Sequence, residues 1–177
     1  MRLTADLIEE LKSKLGRENV MSLPSLEKVV VNVGVGEASD DKKLLNPVLD
    51  HLEIVTGQKP VITKARNSVA GFKLREGQPI GAKVTLRGRM MNDFVTRLIS
   101  VVIPRIRDFR GLERNMDGHG NLTIALKEQS AFPEIPFDKI GNRIRGFSIT
   151  FVTSSNNDED GEALLESIGV PFKEKEE

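Results

Sequence analysis

Eight cations fall within residues 57–89: Lys59, Lys64, Arg66, Lys73, Arg75, Lys83, Arg87 and Arg89. A single acid, Glu76, stands among them. The end of this stretch alternates. Ala82, Val84 and Leu86 share one side of a strand, and Lys83, Thr85 and Arg87 the other, because successive strand side chains point to opposite faces. Such a strand has a dry face for a core and a wet face for an anion. Residues 61–65 repeat the pattern less strictly, with Ile62 opposing Thr63. Between the two strands, residues 70–81 hold three glycines, a proline, and only Phe72, Leu74 and Ile80 as large apolar residues. A loop of that make-up presents backbone N–H groups and long cations to a partner. The chemistry on offer is anion binding.

The whole chain of 177 residues balances 26 Lys and Arg against 26 Asp and Glu, which at first argues against a polyanionic partner. The balance is segregated. Residues 1–57 carry seven cations and ten acids, residues 58–114 thirteen and four, and residues 115–177 six and twelve, for local net charges of −3, +9 and −6. Segregation of this kind marks a binding surface that the overall isoelectric point conceals. The plain alternative is a solvated basic face.

Catalytic constellations are sparse. Gly34-Val35-Gly36 follows a strand, but Ser39 stands where a dinucleotide fingerprint needs its third glycine, so the pair reads as a turn. No GxxxxGK[ST] phosphate loop is present. Of the two histidines, His51 lies beside a helical stripe and reads as a surface residue. His119 sits in the turn-like run Asp117-Gly118-His119-Gly120-Asn121, which lacks the acid spacing of a calcium loop. Ser68 and Ser130 have no histidine at a suggestive spacing, and Asp158, Glu159, Asp160 and Glu162 read as a solvated helix start. The chain has no cysteine, hence no disulfide or thiolate metal site. No cofactor and no enzyme activity is expected. With no tryptophan or tyrosine, aromatic stacking rests on eight phenylalanines and the histidines. No apolar run approaches the length of a membrane span, and the N-terminus reads as an amphipathic helix rather than a signal peptide. The expected home is a reducing, cytoplasmic compartment.

The elements that must position these residues follow from periodicity. A helix is expected over 5–15, with Leu7, Ile8, Leu11 and Leu15 as its stripe, Thr4 as N-cap and Gly16 as C-cap. A strand follows at 27–33 and a helical turn near 40–45. Asn46 reads as an N-cap with Pro47 in the first helical position, and Val48, Leu49, Leu52 and Val55 face inward as far as Gly57. A helix over 90–103 buries Met91, Phe94, Val95, Leu98, Ile99 and Val102 and ends at Pro104. Residues 104–121 read as an extended basic loop and 121–127 as a strand. Residues 131–138 read as a loop, 146–153 as a strand and 158–168 as a helix stopped by Gly169. The fold class is α+β: a single domain over 1–177, mostly antiparallel, with helices on one face and the other face open. Asn32, Thr85 and Arg87 fall on the open face, residues 70–82 protrude as a basic loop, and 171–177 form a frayed tail.

Seven motifs stand in one order: NVGVGEA at 32–38, TGQKPVITKA at 56–65, GFKLREGQPIG at 71–81, KVTLRG at 83–88, PRIRDFRGL at 104–112, DGHGN at 117–121 and FPEIPFDK at 132–139. Together they closely resemble the bacterial-type family of large-subunit ribosomal protein five, over nearly the whole chain. Val33 stands where that family usually has methionine, Phe137 where it has tyrosine, and His119 where it has arginine or lysine. The 141–146 segment is one residue longer, and the C-terminal tail is more acidic.

The resemblance implies a structural constituent of the large ribosomal subunit that binds 5S rRNA and helps attach it to 23S rRNA in the central protuberance. It implies that Asn32, Gln58, Thr85 and Arg87 contact 5S rRNA, with Lys59, Lys64 and Arg66 on adjoining phosphates. It implies that the 71–81 loop, through Phe72, Lys73, Leu74, Arg75 and Gln78, reaches P-site tRNA. It further implies that Arg105, Arg107, Arg110, Arg114 and His119 face 23S rRNA and an intersubunit bridge to small-subunit ribosomal protein thirteen. The wet sheet face agrees with that implication, since RNA helices are held through phosphates, 2′-hydroxyls and shape. Two readings from other classes stay open on the residues alone: a small enzyme handling a phosphorylated ligand at the basic loop, and an RNA chaperone outside the ribosome.

Overall fold

A computed structural model describes residues 5–36, 42–107, 109–136 and 145–173. Five strands, β1 (Leu26–Gly34), β2 (Val61–Lys64), β3 (Pro79–Leu86), β4 (Leu122–Leu126) and β5 (Phe147–Thr153), form one antiparallel sheet in the order β2-β3-β1-β5-β4. Four α-helices accompany it among the described residues: α1 (Ala5–Leu15), α2 (Asn46–Thr56), α3 (Gly88–Arg97) and α4 (Asp158–Ile168). The α+β reading holds. So does the alternation: every second residue is buried along β3 (Ala82, Val84, Leu86), β4 (Leu122, Ile124, Leu126) and β5 (Phe147, Ile149, Phe151).

The contacts divide the chain into two compact units, each assembled from separated segments. The first is Met1–Val29, Arg87–Ile124 and Thr150–Glu177, and the second Val30–Leu86 and Ala125–Ile149. β1, β4 and β5 contribute residues to both, so no linker separates them.

In the first unit α1 lays Ile8, Leu11 and Leu15 against Leu164, Ala163 and Ile168 of α4, with Leu23 completing the cluster. Gly169 ends α4 in the left-handed region, φ 98°, as its position past the last apolar residue predicts. Thr4, the expected cap of α1, lies outside the described residues. The expected helix over 90–103 needs correction. α3 is α-helical only to Arg97, widens to a π-helical stretch over Leu98–Val102, and tightens to a 3₁₀ turn over Ile103–Arg105 that contains Pro104. Proline at 104 has no N–H for the carbonyl four residues back, and its ring crowds that carbonyl; a wider turn relieves both. Met91, Phe94, Val95, Leu98 and Val102 are buried as predicted, and Ile99 is half-buried. The tail also needs correction. Pro171–Lys173 is not frayed: Leu112 donates to the Pro171 carbonyl at 2.8 Å and accepts from Lys173 N–H at 2.9 Å. Residues 174–177 lie outside the described residues.

In the second unit α2 packs on β3 and ends at Gly57 (φ 69°). Asn46 is the first residue of the helix rather than its cap; Leu45 precedes it without a side-chain cap. His51, expected at the surface, is 3% exposed and shares the buried stripe with Val48, Leu52 and Val55, while Leu49 is half-buried. Burial is tolerable because Nδ1 lies 3.1 Å from Oε1 of Gln129, itself 2% exposed. The turn expected near 40–45 is a 3₁₀ turn over Lys42–Leu45.

Candidate nucleic-acid interface

The wet face of the second unit is built outward from β3. Lys83 is exposed and Thr85 half-buried, opposite the buried Ala82, Val84 and Leu86. β2 pairs with β3 so that Val61 faces Lys83 and Thr63 faces Gly81, which puts both on the Lys83 side of the sheet. The register breaks between Thr63 and Lys64, where Lys64 meets Pro79, a residue with no N–H to offer the ladder. On the other flank, Val35 N–H donates to the Ile80 carbonyl at 2.8 Å, and Asn32 stands exposed on β1.

Gln58 reaches this face from the end of α2. Thr56 Oγ1 donates to the Leu52 carbonyl at 2.6 Å and accepts the Gln58 N–H at 3.3 Å, closing a turn through Gly57. That turn brings the Gln58 side-chain amide to the Thr85 carbonyl, where Nε2 donates at 3.3 Å. Two residues 27 apart in sequence, both singled out by resemblance, are thus joined. Lys59, Lys64 and Arg66 are exposed in the same unit. Arg87 belongs to the first unit, where it is exposed as the N-cap of α3.

The protruding loop is shorter than expected, since Pro79–Gly81 belong to β3, and it is closed on itself. Ala65 N–H donates to the Gln78 carbonyl and Gly77 N–H to the Ala65 carbonyl at its neck, at 2.8 and 3.0 Å. At its tip Val69 and Leu74 exchange both backbone hydrogen bonds, at 3.0 and 3.1 Å, around a 3₁₀ turn over Ala70–Phe72. Lys73 completes the turn in the left-handed region, φ 52°, and is the one described non-glycine residue there. Gln78 Oε1 accepts the Arg75 N–H at 2.8 Å, and Ser68 Oγ the Glu76 N–H at 3.0 Å. Phe72, which could have anchored the loop in the domain, is 75% exposed. Lys73 and Arg75 are exposed beside it, and Leu74 and Gln78 half-buried.

The basic segment of the first unit divides in two. Arg105, Arg107 and Arg110 are exposed. Arg114 is engaged internally: its guanidinium pairs with Glu162 and, at 3.7 Å, with Glu166, donates to the Lys173 carbonyl at 2.6 Å, and lies 5.5 Å from the Phe172 ring centroid. Beyond it, Asp117 organises the tight turn that its glycines predict. Its carboxylate accepts from His119 N–H at 2.9 Å and from Asn121 N–H and side-chain amide at 3.0 and 2.7 Å. The side-chain bond from Asn121, foremost, holds the Asp117 pKa below its ordinary value. Asp158 of α4 accepts from Gly118 and Gly120 N–H, and a Cβ at Gly120 would overlap Ser155 and the Asn157 carbonyl. His119 itself is exposed.

Among the described residues no group of three or more His, Asp and Glu is placed to hold a metal ion, and no helix is long and apolar enough to cross a membrane. Residues 19–75 match the family model for ribosomal protein L5, and residues 79–172 that for the ribosomal L5 family C-terminus. The chain belongs to the ribosomal protein L5 family. It is similar to the large ribosomal subunit protein uL5 of Psychrobacter cryohalolentis, with 54% identity over 169 residues, 95% of this chain and 94% of that one. The same protein of Psychrobacter arcticus is 53% identical, and that of Francisella tularensis subsp. novicida 50%, over the same shares. As an L5-family member the chain is a structural protein of the large ribosomal subunit, a cytoplasmic ribonucleoprotein, and not an enzyme. Ribosomal RNA is its partner class.

The register adds Thr63 and Lys83 to the wet face. Lys83 was visible in the strand alternation; Thr63 needed the pairing of β2 with β3, which no local pattern states.

Proposed function

We propose that this L5-family chain binds 5S rRNA through the open sheet face of its second unit. Asn32, Gln58 and Thr85 meet ribose hydroxyls and base edges, and Lys59, Lys64 and Arg66 hold adjoining phosphates, with Arg87 as a further cation. Short neutral groups among cations are what an RNA helix requires of a binder. The observation that carries the reading is the ionic state of that unit. Lys59, Lys64, Arg66, Lys73, Arg75 and Lys83 are exposed, and none forms an ion pair among the described residues, whereas Lys14, Arg17, Arg89 and Arg114 of the first unit are paired with acids. Like charge left unneutralised in the free protein is relieved by a polyanion.

Through that contact the chain fastens 5S rRNA to 23S rRNA in the central protuberance. The loop tip meets P-site tRNA: Phe72 offers a bare aromatic face, Lys73 and Arg75 offer charge, and Leu74 and Gln78 brace the turn. Arg105, Arg107, Arg110 and His119 face 23S rRNA and small-subunit ribosomal protein thirteen across the subunit interface, and Arg114 holds that segment in place. The deciding experiment is a gel-shift competition between 5S rRNA and an unrelated structured RNA of equal length. Preference for 5S rRNA is expected; equal competition overturns the assignment in favour of non-selective RNA binding.

A further inference from the structure

Gly34 is a glycine that the folded chain does not need. It closes β1 outside the left-handed region, and a Cβ built on it would meet no atom within 4 Å. A glycine inside a strand sacrifices stability, and where packing does not demand it the usual reason is a ligand that approaches the backbone. Its neighbours differ. A Cβ at Gly81 would come within 2.5 Å of the Val33 carbonyl oxygen and 3.0 Å of Thr63 Oγ1, and one at Gly146 within 2.7 Å of the Leu126 carbonyl oxygen. Those two are required by the close approach of adjoining strands. The three together leave a lane whose floor is bare backbone. Its outer part is a shallow hollow lined by Asn32, Gly34, Lys127, Gly146 and Ser148, all in the second unit.

We propose that this lane seats the ribose–phosphate backbone of an RNA strand, adding Gly34, Lys127 and Ser148 to the interface. The proposal rests on reading the open face of the second unit as the 5S rRNA surface. Three features select this occupant. No Asp or Glu lines the hollow, and Lys127 and Lys83 are exposed and unpaired among the described residues. Asn32 and Ser148 supply short donors and acceptors suited to 2′-hydroxyls. The lane crosses strands already hydrogen-bonded on both sides, so a peptide adding itself as a strand has no free edge here.

Gly34→Val separates the fold from the ligand, because its branched side chain points into open space. Thermal stability equal to or above wild type is expected, with 5S rRNA affinity lower by about tenfold, as fits a blocked backbone approach. Because the chain has no cysteine, Ser148→Cys carrying a tethered iron chelate gives an independent reading: cuts clustered in one stretch of bound 5S rRNA are expected. If wild type fails to select 5S rRNA, the parent reading falls and this one with it. If wild type selects it while folded Gly34→Val binds equally well, the lane is overturned alone. Should Gly34→Val not fold, the chelate decides, and an uncut RNA overturns the lane.

Discussion

The side-chain amide of Gln58 donates to the main-chain carbonyl of Thr85 across 3.3 Å. One N–H of the amide is spent on the protein, which leaves Oε1 and the second N–H aimed from a fixed position. Gln58→Ala removes an exposed group and a long hydrogen bond, so stability should change by less than about 0.5 kcal/mol. Affinity for 5S rRNA should fall by roughly 1 kcal/mol, or about fivefold, and the same loss is expected of Thr85→Val, which keeps the strand. Gel shifts beside thermal melts check both; a large melting shift with unchanged binding would contradict the placement.

Binding should weaken with salt. If about five phosphates are neutralised by the unpaired cations, log affinity falls against log salt with a slope of roughly −3 to −5. A flat response in a filter-binding titration would remove the electrostatic basis of the interface.

The loop should separate the two RNAs. Phe72→Ala and Lys73→Ala touch no core, since Phe72 is 75% exposed and Lys73 exposed. Each should leave melting and binary 5S rRNA binding nearly unchanged. Ribosomes carrying either variant should retain P-site tRNA less well, by roughly 1 kcal/mol for a lost stacking face. Retention at the wild-type level would make the tip a structural lid.

Arg114→Met should be a stability variant. It strands Glu162 and Glu166 and frees the Lys173 carbonyl, at a cost of about 1–2 kcal/mol, which for a chain of this size lowers the melting temperature by roughly 3–6 °C. Its RNA affinity, measured well below the melting temperature, should stay within about twofold of wild type.

Acid should loosen the turn at Asp117. Its folded pKa lies below the ordinary 3.8, so the contribution of the carboxylate is complete above that value and is lost as pH falls through the depressed one. The amide resonances of His119 and Asn121 should therefore titrate with a midpoint below 3.8. A midpoint at or above it would show that the bonds from Asn121 and His119 do not favour the ionised form.

What was legible in the sequence was whatever depends on near neighbours. The alternation at 82–87 placed the wet face, and the stripes of α1 and α3 placed their buried sides, because period 2 and period 3.6 are local. His51 was misread because one polar residue on an apolar stripe is buried or exposed according to its partner, and Gln129 lies 78 residues on. Pro104 was read as a stop, although a π-helical widening upstream let the helix absorb it. Pro171–Lys173 looked frayed because their partner, Leu112, sits in a segment without periodicity. The loop around Phe72 was read as extensible from its glycines, yet its closure depends on Val69 and Leu74 pairing and on Gln78 folding back to Arg75.

The left-handed Lys73 bears on kinetics as well as shape. A tip closed by paired backbone bonds and set in its turn before any partner arrives has already met its ordering cost during folding. Little further freedom is lost at each encounter and little is regained at each departure. Contact and release can then both be fast, which suits a surface that must meet a succession of passing molecules rather than hold one for good.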